Sequence, residues 1–324
     1  MKSTYHICMA SHDEVMFRNE TDLIIGFNYL AYTALETDSA ILADGFLPTH
    51  HHEAVRTSDP DEFARRSRYA YTRYFNAKYF RKGSLGEKKG FILEVDGLYH
   101  TQAMLSYVIR QGLHHGLAST PFGYPHCSAN AIFRGDLGKE LSPALINVAH
   151  RSSFLPFNCA LPIKYRMAAN GCLLREDIED IGYVESIYVS PRNYLYQMNR
   201  ISDSKDFADQ QKENSSPVIT LETIEKGVAG FDPGKAFVAE QGRVNRSLMT
   251  DIELCGIIDN DLLKTRYPHK GPEPTIYLLS DRERTDLGNW IWKESKTVRY
   301  SNGESPFSGK TVTANQIRRC LCIK

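Results

Sequence analysis

The sequence predicts an α+β fold with a ferredoxin-like antiparallel sheet, helices on one face of that sheet, and a mainly helical C-terminal region. In the first third of the chain, short apolar runs alternate with segments of helical spacing, in the order strand, helix, strand, strand, helix, strand, helix. A β-α-β-β-α-β run is typical of an antiparallel sheet with helices on one side. The other face of the sheet would then be open to carry a site.

Local patterns predict each element in turn. Apolar residues recur at helical spacing after residue 20, and the segment 59–62 (Asp-Pro-Asp-Glu) is a typical helix start with acidic residues in the first turn. Gly83 and Gly116 are stop signals for the second and third helices. The predicted strands are 4–10, 40–46, 50–57 and 91–95, and the predicted helices are 20–37, 59–81 and 99–117.

The chain divides into three predicted regions. Residues 1–130 form the sheet-bearing domain, and residues 131–216 form an irregular connecting region in which prolines recur and a polar linker covers 202–217. Residues 217–324 form a helical accessory domain, with helices predicted over 247–264, 280–295 and 313–323. DNA binding through a helix-turn-helix arrangement is one option for this region, and a partner surface is another.

Composition favours a globular protein without membrane or disulfide chemistry. The chain has 324 residues, of which 42% are hydrophobic and 24% charged, and no run of 18 apolar residues occurs. The seven cysteines include no Cys-x-x-Cys pair, which argues against a zinc ribbon or a disulfide framework. Since the N-terminus also lacks a long apolar stretch, we expect a cytoplasmic protein.

Two histidines one residue apart are the most informative local feature. If residues 50–57 form a strand, alternation places His50 and His52 on one face and His51 on the other. Two neutral imidazoles side by side are half of a divalent-metal site. The alternative is a polar turn or structural histidines. His51 would face the helix-covered side, where a buried histidine needs a hydrogen bond or a place at the sheet rim.

Tyr107 and Gln111 are the candidates for the other half. They are four residues apart, so on a helix they project from the same face. That face also carries Met104 and Val108, which is typical of a buried helical stripe, so Tyr107 could equally be a core tyrosine. A buried amide at Gln111 needs a partner, and a metal would supply one.

Charge is distributed unevenly although the net charge is zero. Residues 1–55 contain two Lys/Arg and eight Asp/Glu, whereas residues 56–89 contain ten Lys/Arg and four Asp/Glu. A basic segment of this kind indicates a surface that binds a polyanion, although a solvated helix face has the same composition.

The first 130 residues resemble the single-tyrosine HUH transposases, and among them the REP-associated tyrosine transposases. The segment 46–52 (Phe-Leu-Pro-Thr-His-His-His) is similar to the family's apolar run, proline and His-hydrophobic-His motif. Residues 4–7, 71–76 and 107–109 are similar to the family's first strand, its helix before a glycine and strand, and the start of its tyrosine helix. Residues 124–128 (Tyr-Pro-His-Cys-Ser) are similar to its Tyr-Pro-x-Ser-Ser closing element.

The resemblance implies an HUH endonuclease core and a role for each candidate residue. His50 and His52 take the positions of metal ligands, Tyr107 that of the nucleophile, and Gln111 that of the third ligand. The implied cofactor is Mg²⁺ or Mn²⁺, and Mn²⁺ is the better match to two imidazoles.

Three departures from the family pattern stand out. The middle residue of the motif is His51 instead of a hydrophobic residue. Thr49 directly precedes His50, at a position where asparagine is common. Gln111 and Gly112 replace the Asn-Pro pair that is usual in the REP-associated branch. No group that the chemistry needs is removed by these changes.

The implied function is metal-dependent cleavage and rejoining of single-stranded DNA through a 5′-phosphotyrosine intermediate, as in DNA transposition, at sites flanked by hairpins. The enzyme would then associate with the nucleoid when bound to DNA. We also expect aromatic residues of the basic segment to stack on the DNA bases. The residues expected to contact DNA are Arg65, Arg66, Arg68, Tyr69, Arg73, Lys78, Arg81, Lys82, Lys88 and Lys89.

Several alternatives stay open. One is a domesticated relative that binds structured DNA or RNA without cutting it, and another is a relaxase or replication-initiator nickase. A homodimer is also left open, as is whether the tyrosine acts in its own subunit or at the metal of a neighbour.

Overall fold

A computed structural model describes residues 2–87, 90–139, 143–199, 238–239, 243–244, 248–297, 305–307 and 310–323. Its centre is one sheet built from four strands, which are β1 (Ser3–Ala10), β2 (Ala40–Leu47), β3 (His50–Thr57) and β4 (Phe91–Val95). The order is β2-β3-β1-β4 and every neighbouring pair is antiparallel. The predicted ferredoxin-like sheet is therefore confirmed, and the strand bounds agree with the prediction to within one residue.

Helices follow the strands along the chain. Those of the first two thirds are α1 (Glu20–Glu36), α2 (Pro60–Tyr79), α3 (Leu98–Ile109), α4 (Gln111–His114), α5 (Arg175–Ile178), α6 (Ile181–Tyr188) and α7 (Pro191–Asn199). Short 3-10 helices occupy Pro121–Gly123, Ser128–Asn130 and Val148–Phe154. Two short paired strands, β5 (Val238–Ala239) and β6 (Arg243–Val244), lie further along the chain.

The C-terminal region is helical, as predicted. A helical stretch runs from Asp251–Ile257 through a π-helical turn at Ile258–Leu262 to Leu263–Arg266, and is followed by the helices Asp281–Thr297 and Ala314–Leu321. Short 3-10 helices lie between them at Pro268–Lys270 and Ile276–Leu278. Capping boxes begin two of these elements, at Thr250 with Glu253 and at Thr313 with Gln316.

One face of the sheet packs against α1 and α2. Alternation sends Ile7, Ile41 and Val55 to this face, where they form a core with the apolar stripes of both helices. Asn19 caps the start of α1, and α2 ends at Tyr79 because Phe80 adopts a left-handed conformation with a φ of 56°.

The expectation of helices on one face alone is wrong, because the second face is also covered. Leu42 and Ala54 of the sheet pack against Met104 and Val108 of α3, and Tyr188 of α6 belongs to the same core. Apolar residues on both faces of the central strands require a cover on both sides, since leaving them exposed would cost about 25 cal/mol per Å². The candidate site therefore lies between the sheet and α3.

The region predicted as an irregular connection is part of the core. Within residues 131–199, α6 and α7 contribute Val184, Tyr188, Tyr194 and Met198 to the core beneath α3, and all four are buried. The polar linker predicted over 202–217 lies outside the described residues. The predicted domain boundaries stay a prediction.

A buried arginine, Arg18, is one of the residues that connect the sheet domain with the C-terminal helices. Arg18 donates two hydrogen bonds of 2.8 Å to the Asp259 carboxylate and one of 2.9 Å to the Cys320 carbonyl oxygen. The Arg18 side chain has no exposed surface. Among the described residues, no helix is both long enough and apolar enough to span a bilayer.

Candidate active site

His50 and His52 lie side by side on β3, on the face that α3 covers. Their ring centroids are 5.1 Å apart, and both side chains are buried. β3 follows β2 after a tight connection at Pro48 and Thr49. The Thr49 hydroxyl lies 3.0 Å from His50 Nδ1. Alternation along β3 thus places both imidazoles on one face of the sheet, as the sequence predicted.

Tyr107 projects from α3 onto this pair. Its ring stands edge-on to His52, with centroids 5.3 Å apart and an interplanar angle of 88°. It stands in the same way against His6 of β1, at 5.7 Å and 85°. Tyr107 is 6% exposed, so little of its surface is open to solvent.

Gln111 follows Tyr107 at a break in the helix. The predicted single helix over 99–117 is wrong here, because α3 ends at Ile109 and α4 begins at Gln111. At the break, Gln111 Nε2 donates a 3.0 Å hydrogen bond to the Tyr107 carbonyl oxygen. Its Oε1 is buried and has no hydrogen-bond partner among the described residues. An orphaned buried amide oxygen costs about 1–3 kcal/mol unless a further partner binds it.

Two glycines allow the Gln111 segment to approach the sheet. A Cβ atom on Gly45 would lie 2.6 Å from the Val108 carbonyl oxygen and 3.4 Å from Gln111 Cβ. A Cβ atom on Gly112 would lie 2.3 Å from the ring of Tyr124. Tyr124 in turn donates a hydrogen bond to the Phe46 carbonyl oxygen. Glycine at 112 is thus required by the Tyr124 ring.

His6 is a site residue that the sequence reasoning missed. Its Nε2 lies 3.0 Å from His52 Nδ1, and the two rings stack with centroids 5.2 Å apart. Cys8, two residues later, places its Sγ 3.9 Å from His52 Nε2. The available signal was alternation, since His6 and Cys8 share a face of β1, but their contact with His52 depends on the strand register, which pairs Cys8 with His52.

His114 and His115 were also missed. His115 follows α4 and its ring centroid lies 4.7 Å from that of His50, while His114 lies 6.4 Å from Tyr107. Both lie within the helix predicted over 99–117, three and four residues after Gln111, so helical spacing was the signal that could have found them. Three histidines, His6, His52 and His114, thus lie around Tyr107, and His50 and His115 extend the cluster.

Burial keeps these imidazoles neutral. Removal from water lowers the pKa of His50 to about 3, with smaller effects from neighbouring charges, and lowers the pKa of His6 to about 3. The pKa of His52 and that of His115 are likewise lowered, mainly by burial. A neutral imidazole is the form that donates a lone pair to a metal ion.

The donor set fits a metal ion only if Gln111 takes part. Among the described residues, no three His, Cys, Asp or Glu side chains converge closely enough to hold an ion. His50 and His52 supply two imidazoles, and the orphaned Oε1 of Gln111 is an oxygen ligand of the type that Mg²⁺ and Mn²⁺ accept. The fit thus needs all three residues that the sequence proposed as ligands.

His51 lies on the opposite face, as its position between His50 and His52 requires. Its Nδ1 lies 2.7 Å from Glu53 Oε1, and its ring stacks on Phe46 with centroids 4.9 Å apart. The expectation that a histidine on this face needs a polar partner is met by Glu53, which is itself 1% exposed.

The basic residues of α2 lie on the other side of the sheet from Tyr107. The helix packs its apolar stripe onto the face that carries Val55, whereas α3 covers the face that carries Ala54. A nucleic acid bound along α2 would therefore be separated from Tyr107 by the sheet. Of the residues predicted to contact DNA, the exposed ones are Arg65, Arg66, Tyr69, Arg73 and Lys82, while Lys88 and Lys89 lie outside the described residues.

Several of these cations already have protein partners. Glu62 accepts from both Arg65 at 2.7 Å and Arg66 at 2.6 Å. The other contacts are from Arg68 to the Glu87 carbonyl oxygen at 3.0 Å, from Lys78 to Asp22 at 2.6 Å, and from Arg81 to Glu14 at 2.5 Å. The Arg73 guanidinium lies 5.8 Å from the ring centroid of the exposed Tyr69. Arg73, Tyr69 and Lys82 are therefore the strongest candidates for nucleic-acid contact.

Comparison with known proteins gives similarity to solved structures. Neither protein-family models nor curated proteins match the chain. A solved structure of a REP-associated tyrosine transposase bound to a REP hairpin is similar, with a TM-score of 0.36 and 13% sequence identity over 50% of this chain and 94% of that chain. At this level of similarity we take nothing about the activity of this chain from the transposase.

Proposed function

We propose that this protein is an endonuclease that cleaves and rejoins single-stranded DNA, with Tyr107 as the nucleophile. The observation that carries the proposal is the pairing of the His50 and His52 rings, 5.1 Å apart, with Tyr107, 5.3 Å from His52. The buried amide of Gln111 follows Tyr107 by four residues and donates to its carbonyl oxygen. A phenol beside two neutral imidazoles and an amide oxygen without a partner is a donor set for chemistry at a phosphodiester.

His50, His52 and Gln111 would hold a divalent ion, Mg²⁺ or Mn²⁺. Bound there, such an ion supplies Lewis-acid polarisation of the scissile phosphate. The chain's own part is to hold two uncharged imidazoles and one amide in place and to exclude water from around them, which the burial of all three side chains supports.

The proposed step exchanges one phosphodiester for another. The Tyr107 oxygen forms a bond to phosphorus, and the bond between phosphorus and the 3′ oxygen of the preceding nucleotide breaks. The phenol loses its proton and the departing oxygen gains one, so the products are a 5′-phosphotyrosine and a 3′ hydroxyl. A later 3′ hydroxyl reverses the step without a nucleoside triphosphate, because the phosphodiester energy is conserved in the covalent intermediate.

Access to Tyr107 sets a requirement on the enzyme. Since Tyr107 is 6% exposed, the residues that cover it must shift for a DNA strand to reach the hydroxyl. Exposed Arg73, Tyr69 and Lys82 on the α2 side would bind a further part of the DNA, such as a hairpin stem, and leave the single strand to pass around the sheet edge.

Covalent attachment of DNA tests the proposal. The probe is a set of single-stranded oligonucleotides that carry a hairpin beside a randomised segment, labelled at the 3′ end, in the presence of Mn²⁺. We expect labelled protein with the wild type, because the tyrosine keeps the 5′ phosphate of the 3′ fragment. Tyr107→Phe and His50→Ala should both lose the labelled band by at least about 100-fold, in line with loss of a nucleophile or a metal ligand.

Tyr99→Phe is the matched control, since Tyr99 lies on the same helix and is only partly buried. It should retain the attachment. Labelled protein that persists in Tyr107→Phe would show that another residue is the nucleophile, and the absence of any attachment in the wild type would contradict the proposed activity.

A second candidate function is binding of structured DNA or RNA without cleavage. The low exposure of Tyr107 favours it, because burial restricts access to the phenol. In that case the wild type would shift the mobility of the hairpin probe, while no probe would become covalently attached.

A further inference from the structure

His6 lies against the edge of the proposed metal site. Its Nε2 is 3.0 Å from His52 Nδ1 and the two rings are almost parallel, at 8°. His6 has no exposed surface, so a water molecule cannot replace it as the partner of His52. The ring is held from two sides by edge contacts with Phe91 at 5.4 Å and Tyr107 at 5.7 Å. A contact this fixed constrains which nitrogen of His52 carries its proton.

A neutral imidazole has one N–H and one lone pair. If His52 donates through Nδ1, its Nε2 carries the lone pair and can bind an ion. If His6 donates through Nε2, then His52 Nδ1 must accept, its Nε2 carries the proton, and His52 cannot be a ligand. The direction of one hydrogen bond therefore decides whether His52 can coordinate.

We propose that His6 is a positioning residue, whose Nε2 accepts a hydrogen bond from His52 Nδ1 and so directs the His52 Nε2 lone pair toward the divalent ion. The inference deepens the proposed function, because it rests on the ion site of His50, His52 and Gln111. Metal-bound histidines are commonly oriented in this way by a second group that accepts from the other ring nitrogen.

Neighbouring contacts are consistent with this direction. The Cys8 thiol lies 3.9 Å from His52 Nε2, where an S–H can donate weakly to a lone pair. The Thr49 hydroxyl, 3.0 Å from His50 Nδ1, can accept from His50 in the same sense, which makes Nε2 the coordinating atom of both rings.

This choice of tautomer also has a free-energy cost, and the cost indicates the conditions under which the tautomer forms. With His52 as donor, the proton of His6 lies on Nδ1, which is buried and has no hydrogen-bond partner among the described residues. Ion binding compensates this cost, because only this tautomer leaves His52 Nε2 as a ligand. We therefore expect the tautomer to be fixed in the ion-loaded protein.

Titration with Mn²⁺, following free Mn²⁺ by electron paramagnetic resonance, measures the effect on the full chain. We expect His6→Leu to weaken Mn²⁺ binding by about 10–100-fold. His6→Gln should keep most of the affinity, because its amide oxygen reaches the position of Nε2 and can accept the same hydrogen bond. His100→Gln, a change at a buried histidine of α3 outside the site, should leave the affinity unchanged.

Nitrogen-15 NMR of the histidine rings gives a second readout that a purely structural role would not move. In protein loaded with Zn²⁺ as a diamagnetic substitute, the proton of His52 should be found on Nδ1. A proton on His52 Nε2, or equal Mn²⁺ affinity in His6→Leu and wild type, would overturn the inference. Should His6→Leu fail to fold, His6→Gln and the wild-type spectrum still decide.

The two proposals fail in different ways. If the wild type forms no covalent DNA adduct while His6→Leu loses Mn²⁺ affinity and His6→Gln restores it, the cleavage proposal falls and the role of His6 stands. DNA attachment together with unchanged Mn²⁺ affinity in His6→Leu would contradict the role of His6 alone. A wild type that binds no Mn²⁺ would overturn the role of His6 and the ion site together.

Discussion

At the residue scale, the candidate site depends on how closely the Gln111 segment approaches β2. The absence of a side chain at Gly45 lets the Val108 carbonyl oxygen come within 2.6 Å of where a Cβ atom would lie. This approach brings Gln111 under the sheet, where its side chain is completely buried. The amide Nε2 then donates to the Tyr107 carbonyl oxygen, and Oε1 is the atom that we propose as a ligand.

Gly45→Ala tests this approach. The added methyl group meets backbone rather than a flexible side chain, so α3 and α4 must move away from the sheet. We expect a loss of about 1–3 kcal/mol in the free energy of unfolding, measured in urea, with weaker Mn²⁺ binding. Gly123→Ala is the matched control, since its Cβ would meet only ordinary contacts at 3.5 Å. Equal stability of the two variants would contradict the tight packing at Gly45.

Sequence could predict some of these residues and not others. Alternation along β3 was enough to place His50 and His52 together, because side-chain period is fixed within a strand. His6 could not be found in this way, since its contact with His52 depends on the register between β1 and β3. The roles of Gly45 and Gly112 depend on distances between elements that no local pattern contains.

At the element scale, a buried polar network attaches the segment after residue 120 to β2. Arg175 donates two hydrogen bonds of 2.8 Å to the Asp44 carboxylate, and its guanidinium lies 4.1 Å from the ring centroid of Phe27. Ser128 donates to Glu179 at 3.0 Å and accepts from the Asp44 backbone N–H at 2.7 Å. Asp44 and Glu179 are thus two buried carboxyls sharing one arginine.

Glu179 gives this network a pH dependence. Burial and then the Asp44 charge raise the pKa of Glu179 well above its ordinary value, while Arg175 acts in the opposite direction. Because the folded protein holds a proton that the unfolded chain releases above about pH 4.3, stability falls as the pH rises from there toward the folded pKa. The slope is at most about 1.4 kcal/mol per pH unit for one group.

Glu179→Gln should remove that fall. The amide is a neutral substitute for the protonated carboxyl and can donate to Asp44 while accepting from Ser128. Urea unfolding between pH 5 and 8 should show a flatter profile for the variant, with stability at pH 8 at least equal to that of the wild type. Parallel profiles for the two proteins would contradict a protonated Glu179.

The helices and strands themselves were largely predictable, because each has a local signal. Apolar periodicity and the helix-start segment 59–62 predict most bounds to within two residues. The break at Arg110 was not predictable, since it accompanies a side-chain hydrogen bond from Gln111. The packing of α6 and α7 on the second face was missed because prolines interrupt the segment before them. The ion pair between Asp44 and Arg175, which attaches this segment to β2, joins residues 131 positions apart, so no local pattern indicates it.

At the scale of the whole molecule, a buried ion pair joins the C-terminal helices to the segment between β1 and α1. Arg18 lies between β1 and α1 and carries the ion pair to Asp259. Among the smaller effects that lower the pKa of His50 and of His115 is the positive charge of Arg319, which belongs to the last helix. Arg319 is itself paired with Asp251 at 3.0 Å. The last helix thus contributes a positive charge to the electrostatic surroundings of both imidazoles.

Asp259→Ala tests this connection. Removing the carboxylate leaves the Arg18 guanidinium buried with only the Cys320 carbonyl oxygen, so we expect a loss of about 3 kcal/mol in the free energy of unfolding. Asp261→Ala, at an exposed position of the same helical stretch, should change stability by less than about 0.5 kcal/mol. Similar unfolding midpoints for the two variants would contradict a stabilising role of the Arg18–Asp259 pair.

The central claim is that the paired imidazoles of β3 and the phenol of α3 form one catalytic centre. Mass spectrometry of peptides from wild-type protein incubated with Mn²⁺ and the hairpin oligonucleotides tests it most directly. We predict a nucleotide attached through its 5′ phosphate to the peptide that contains Tyr107, and its absence when His52→Ala is treated in the same way. Attachment at a different residue, or attachment at Tyr107 that persists in His52→Ala, would contradict the account.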